Sequence, residues 1–195
     1  MTEEQIKQIL YSKLVGKRLN HSLMVAKASK SLAKLYNVDV DRAYKAGLLH
    51  DIMKNESREN QLLEIKTAGI QINDDELEND KLLHAPAGAA FIINNTDETD
   101  IEVINAIRYH TTGRPKMSVL EKVVYVADLI SEDREYTDVD IVREKASRSL
   151  NEAIFYITSF QISYLVKNNL LIGSNTIGLY NEMIKEFYRV DDNDK

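Results

Sequence analysis

Ala46-Gly47-Leu48-Leu49-His50-Asp51-Ile52-Met53-Lys54 is an apolar run with an adjacent histidine and aspartate set into it. Asp39 or Asp41 can cap a helix that carries this run and is expected to reach about Met53. His50 lies four residues after Ala46 and seven after Ala43, so it shares their apolar face. Neighbouring helical residues point about 100° apart, from 3.6 residues per turn. His50 and Asp51 can therefore offer two ligand atoms to one pocket, and Asp51 keeps a second oxygen for a second ion.

Outward from this run the chain reads as helix. Ile6, Ile9, Leu10 and Leu14 recur at helical spacing, as do Val25, Ala28, Leu32 and Leu35. Pro86 suits the first turn of a helix through Ala89, Phe91 and Ile92. Further helical segments are expected at Ile101–His110, Val119–Leu129, Val139–Lys167 as one helix or two, and Thr176–Tyr188. Asn55–Leu82 is charged and expected to hold a short helix about Arg58–Ala68 with a loop beyond, and Thr111–Ser118 is a turn. Sustained alternating runs bounded by turn dipeptides are missing, which argues against a sheet. The fold class expected is all-α, a helical bundle of about nine helices in a single domain, 1–190, with a disordered acidic tail at 191–195.

Composition narrows the function. The 195 residues, 44% hydrophobic and 29% charged, suffice for a globular core without cross-links. With no cysteine, a disulfide framework, a thiolate metal site and a cysteine nucleophile are excluded. The net charge of −6 argues against nucleic acid as a partner, which needs clustered Lys and Arg. Neither a signal-peptide pattern after Met1 nor an apolar stretch of about 20 residues is present, so a cytoplasmic protein without a membrane partner is expected.

The chemistry-bearing residues are few. The four histidines, His21, His50, His84 and His110, each fall on or beside an apolar helix face. A lone histidine there is more often a hydrogen-bonded core residue than a ligand. Four of four turned inward is a different pattern. Asp128 sits in the apolar stretch Val123-Val124-Tyr125-Val126-Ala127-Asp128-Leu129-Ile130. A carboxylate there is strongly unfavourable unless a cation, donors or a proton accompanies it. An arginine salt bridge would satisfy Asp128 alone, whereas a metal accounts for Asp128 and the histidines together. Imidazole with carboxylate suits iron, manganese, zinc or cobalt rather than copper(I).

At these residues the sequence resembles the HD-domain metal phosphohydrolases. The shared pattern is a histidine, a His-Asp pair and a distant aspartate: His21, His50-Asp51 and Asp128. His84 and His110, between the pair and the last aspartate, mark the two-metal members. The likeness is closer to the YqeK family. It is carried by Lys17–Ala26, Ala46–Lys54, Leu83-His84-Ala85-Pro86-Ala87-Gly88-Ala89, Ile107–Gly113 and Tyr125–Asp128, and covers roughly residues 17–170. That family consists of symmetrical dinucleoside tetraphosphatases. The resemblance implies cleavage of diadenosine tetraphosphate into two ADP at a di-iron centre, by a hydroxide bridging two divalent ions. It implies His21, His50, Asp51 and Asp128 on one metal and His84 and His110 on the second, with Asp51 bridging.

The same resemblance assigns Lys54 and Arg134 to phosphate, and Thr111, Thr112 and Gly113 to the substrate-side loop. The family's Pro before that arginine is replaced here by Ser131-Glu132-Asp133, a departure that bears on Arg134 and leaves the ligands untouched. Arg108, Arg114 and Lys116 read more readily as surface than as site. Other reactions on similar ligands are deoxynucleoside triphosphate, nucleotide 5′-monophosphate and alarmone hydrolysis. A cyclic dinucleotide phosphodiesterase ranks lower, since neither proline follows Gly-Tyr. From other classes come a non-catalytic nucleotide-sensing module and a helical structural protein with buried histidines. The apolar segment Ile154, Phe155, Ile157, Phe160, Ile162 and Leu165 reads as core first and as a homodimer interface second.

Overall fold

The computed structural model describes residues 1–188, so the acidic tail expected at 191–195 lies outside the described residues. Among the described residues there are eleven α-helices and no strand. In chain order they are α1 (Glu3–Lys13), α2 (Gly16–Leu35), α3 (Val40–Leu49), α4 (Arg58–Ala68), α5 (Asp74–Leu77) and α6 (Asp80–Asn95). Then follow α7 (Ile101–Tyr109), α8 (Val119–Ile130), α9 (Val139–Arg148), α10 (Leu150–Lys167) and α11 (Ser174–Phe187). None is long and apolar enough to cross a membrane.

The centre is made by α2 and α3 packed together, α8 across α2, α7 against α3 and α8, and α6 against α7. Tyr125, Leu49, Ile52, Leu83, Ile107 and Ile154 are among the largest fully buried side chains, and they come from α3, α6, α7, α8 and α10 and the turn after α3. One core therefore joins the elements that carry His50, His84, His110 and Asp128.

Eleven helices replace the expected nine for two physical reasons. The long C-terminal segment breaks at Ser149, whose extended backbone (φ −154°, ψ 124°) ends α9, while its hydroxyl accepts from the Glu152 N–H to start α10. The loop expected before residue 82 holds α5, a four-residue helix with a capping box between Asn73 and Glu76. Its buried Glu76 accepts two bonds from Arg108, at 2.6 and 2.7 Å. This tertiary ion pair fixes a helix too short to persist by itself, and it corrects the surface reading of Arg108, which is buried.

Two helix ends also differ from expectation. Pro86 is inside α6 rather than in its first turn, because the helix starts at Asn79, whose side chain accepts from the Lys81 N–H. Pro86 therefore cannot donate to the Leu82 carbonyl one turn back. Helix α3 stops at Leu49 instead of running to about Met53. The chain continues in tight turns closed by Ile52 N–H to Leu49 O (3.1 Å) and Lys54 N–H to Asp51 O (2.9 Å). His50 and Asp51 sit at this tightened exit, not on a regular helix face.

The approach of α2 to α3 depends on Gly47. A Cβ there would stand 2.9 Å from the Ala26 Cα and 2.7 Å from the Ser29 Oγ. Gly47→Ala is expected to force the helices apart and to lower stability by about 1–3 kcal/mol, the usual cost of overpacking. Urea unfolding measures it. Adding Ser29→Ala should recover little, because the backbone contact at Ala26 remains; unchanged stability in Gly47→Ala would contradict the close crossing.

Candidate metal centre

The four histidines are all buried, with 5%, 0%, 1% and 2% of their surface exposed at His21, His50, His84 and His110. Their rings are close neighbours in the order His21, His50, His110, His84. Ring centroids are 5.3 Å apart for His21 and His50, 4.8 Å for His50 and His110, and 5.1 Å for His84 and His110. Asp51 lies beside His50, His84 and His110 and is buried, while the Asp128 side chain is 14% exposed.

Local structure aims each ring. His50 is the C-cap of α3 and His110 the C-cap of α7. Each donates from Nδ1 to the carbonyl three residues back, Gly47 and Ile107, at 2.8 Å. This contact fixes the tautomer and leaves Nε2 as an acceptor. His21 Nδ1 faces the Asp133 carboxylate at 2.7 Å, and its Nε2 lies 2.9 Å from Asp128 Oδ1. His84 Nε2 lies 3.2 Å from His110 Nε2 and 3.2 Å from Asp51 Oδ1.

Asp51 divides its oxygens between two sides. Oδ1 faces His84 at 3.2 Å and His110 at 3.5 Å, while Oδ2 faces His50 at 3.5 Å. Three overlapping triads have ligand atoms all within 4.8 Å of one another: His21, His50, Asp51; His50, His110, Asp128; and Asp51, His84, His110. The first and third share only Asp51.

The donor set fits a divalent metal. His50 Nε2 is buried without a hydrogen-bond partner, although it points at Asp51 and Asp128. An orphaned buried acceptor costs about 1–3 kcal/mol, and a cation bound between imidazole and carboxylate removes that cost. The helix ends contribute as well. The C-termini of α3 and α7 both meet the cluster, and the negative end of a helix dipole favours a cation.

Electrostatics agree in sign. Burial alone would raise the carboxyl pKa of Asp51, yet the rings of His50, His110 and His84 hold it well below the usual carboxylate range. Asp128 is likewise held low against burial by the His21 hydrogen bond and the charges of His50 and Arg134. Burial pushes His84 down to about 4, so its ring is neutral at neutral pH. Burial would also lower His50, but Asp51 and Asp128 outweigh it and raise it above 6.5.

The remaining candidates separate. Lys54 Nζ lies 3.1 Å from His84 Nε2, and burial lowers its pKa. Arg134 spans Asp128, donating to its carboxylate and, at 2.7 Å, to its backbone carbonyl. Thr111 Oγ1 is 3.0 Å from His110 Nε2 and 3.2 Å from His84 Nε2. Thr112 is buried and donates to the Gly113 carbonyl at 2.9 Å. Gly113 has φ +61°, and a Cβ there would stand 2.3 Å from Leu179. Thr112 and Gly113 thus shape the loop, and only Thr111 reaches the ligand atoms. Arg114 pairs with Glu121 at 2.7 Å and stacks 4.6 Å from the Tyr109 ring, and Lys116 is exposed.

Two residues here were not singled out by sequence reasoning. Arg18 donates to Asp51 Oδ2 at 2.6 Å. It lies three residues before His21 on α2, so the helical repeat was a usable signal. Asp133 on His21 carries no such signal, since it follows the end of α8 in an irregular stretch.

Comparison with known proteins gives consistent results. A family model for the HD domain matches residues 18–133. The symmetrical bis(5′-nucleosyl)-tetraphosphatase of Halalkalibacterium halodurans is 35% identical over 179 residues, 92% of this chain and 95% of the relative. The protein of the same name from Bacillus subtilis is 32% identical over 186 residues, 94% of this chain and 98% of the relative. A crystal structure described as a predicted HD superfamily hydrolase involved in NAD metabolism, from Clostridium acetobutylicum, superposes with a TM-score of 0.91 at 35% identity. That superposition covers 95% of this chain and 98% of the other.

Two outcomes are expected at this centre. Asp133→Ala should leave the fold intact and weaken metal binding by roughly 10–100-fold, the scale for losing a carboxylate behind a ligating histidine; chelator competition reads it, and unchanged affinity would refute the orienting role. The raised His50 value sets the pH response. Protonated His50 stabilises the metal-free protein below its unfolded value near 6.5, a contribution lost as pH rises through the raised folded value. Metal needs the neutral ring, so affinity should fall about tenfold per pH unit per proton displaced as pH drops through that value. The gain in Tm on adding Mn²⁺ should therefore grow with pH, and a flat gain would exclude proton release at His50.

Proposed function

The chain belongs to the HD domain family, in the branch of the symmetrical bis(5′-nucleosyl)-tetraphosphatases, and from that premise we propose that it hydrolyses diadenosine tetraphosphate to two ADP. The observation that carries the reading is the division of Asp51, one oxygen toward His50 and the other toward His84 and His110. This arrangement suits two divalent ions, with iron the first choice and manganese, zinc or cobalt admitted by the same donors. His21, His50, Asp51 and Asp128 would hold one ion, and Asp51, His84 and His110 the other. Bound there, such ions lower the pKa of a water molecule and offset charge gathering on phosphate oxygens.

The chain's own residues supply the rest. Arg18, Lys54 and Arg134 border the ligand atoms and carry the positive charge that a polyphosphate requires. Arg18 and Arg134 rest on Asp51 and Asp128, whose oxygens a cation would take over, leaving the guanidinium groups to phosphate. Arg134 keeps its hold on the Asp128 carbonyl, which orients its planar fork. The lowered pKa of Lys54 makes it a proton source for the departing ADP oxygen closer to neutral pH than an ordinary lysine. Asp133 and the Gly47 and Ile107 carbonyls hold the rings so that a phosphorus centre meets a preset geometry.

The test is chromatography of the products from diadenosine tetraphosphate with protein supplied with iron or manganese. ADP alone is expected, and Asp51→Ala should lose both metal content and activity. ATP with AMP would refute the symmetrical cut, and full activity and metal content in Asp51→Ala would refute the site.

A further inference from the structure

The exposed face of α10 is aromatic where a soluble helix is ordinarily polar. Phe160 and Tyr164 are 52% and 55% exposed. Two cavities open along this face and share Phe160 and Gln161 as a common wall. The first, about 210 Å³, is bounded by Leu82, Thr111, Tyr164, Leu165 and Thr176. The second, about 190 Å³, is bounded by Leu129, Tyr136, Val142, Tyr156 and Ile157.

The first cavity reaches the ligand cluster, and the second starts one residue beyond it along the chain. Thr111, in the first, has its Oγ1 3.0 Å from His110 Nε2. Leu129, in the second, directly follows Asp128, and its carbonyl accepts from the Tyr136 hydroxyl at 2.9 Å. Between them Gln161 is held through its amide oxygen by the Tyr125 hydroxyl at 3.1 Å, so the amide nitrogen is the end left for a ligand.

We propose that the two cavities take one nucleobase each of a dinucleoside polyphosphate, with Phe160 as the shared stacking wall and the phosphates running between them over the ligand cluster. The inference rests on the reading of diadenosine tetraphosphate as substrate and adds where its two bases go. Size supports it, because drug-sized ligands need about 300–1,000 Å³, so each hollow suits a smaller flat group such as one base. Number supports it as well: two hollows of nearly equal volume serve a ligand with two identical ends. The linings, aliphatic and aromatic with a few polar groups, match the faces and edges of a base.

The experiment uses the full chain loaded with Mn²⁺. Calorimetric titration should show two ADP bound per chain, and one in Leu165→Trp, which fills the first cavity. Phe160→Ala, at a half-exposed position, should keep its Tm and its affinity for inorganic pyrophosphate. Its KM for diadenosine tetraphosphate should rise about tenfold, the scale of one base–aromatic stack, with kcat little changed. Saturation transfer from protein to the adenine protons of adenosine should also fall. One ADP per wild-type chain would overturn the proposal, as would unchanged adenosine contact and KM in Phe160→Ala. A change from dimer to monomer in Phe160→Ala with ADP binding intact would also overturn it, giving this face to a second copy of the chain. If diadenosine tetraphosphate is not hydrolysed but adenosine contact still depends on Phe160, the base cavities stand and only the substrate reading fails.

Discussion

A buried carboxylate at the crossing of several helices is the constraint on which the rest depends. Asp51 is withdrawn from water, and its charge must be matched inside the protein. His50, His84, His110 and Arg18 meet that demand in the structure as it stands. None of them is adjacent in space to Asp51 by chance of surface position. The core that joins α2, α3, α6, α7 and α8 brings them there, so forming the core and forming the site are the same event. Separating α2 from α3 separates Arg18 and His21 from the His50-Asp51 pair, which is why Gly47 belongs to the site although it touches no ligand.

The second organising element is the use of helix ends. A helix interior spends its carbonyls on its own backbone, whereas the last turn has carbonyls to spare. His50 and His110 occupy these exits and use the spare Gly47 and Ile107 carbonyls to fix their Nδ1 protons. The ligand nitrogen is thereby aimed without help from another side chain. His21, inside α2 and far from its C-terminal end, has no spare carbonyl, and Asp133 takes that role. The same demand, holding Nδ1 so that Nε2 is free, is thus met in two ways according to where the histidine sits on its helix.

This difference also explains what the sequence made legible. The helical fold could be read because apolar residues recur at helical spacing, and the extent of α7 followed from it closely. The ligand candidates could be read because four histidines and an aspartate lay on apolar faces, where a solvated residue has no reason to be. Contacts made by residues distant in sequence could not be read. Asp133 reaches His21 across 112 positions, and Glu76 meets Arg108 across 32. Periodicity carries no record of such pairings. The start of α6 was misplaced because Pro86 is a strong local signal, whereas the effective start, the Asn79 cap, is one polar residue in a charged stretch. The segment read as core or interface is mixed: Ile154 and Ile157 are core, whereas Phe160 is half exposed.

An acidic chain that handles a polyanion poses an electrostatic problem, and the geometry resolves it by distance. The net charge is −6. At physiological ionic strength charges more than about 8 Å apart in water are largely screened, so most surface carboxylates exert little force on a phosphate at the centre. Inside that radius the balance is different. Arg18, Lys54 and Arg134 stand around two carboxylates that divalent ions would neutralise. With divalent ions bound there the local field would be positive although the molecule is negative. A small polyphosphate reaching the centre would then meet Arg18, Lys54 and Arg134 together with the bound cations.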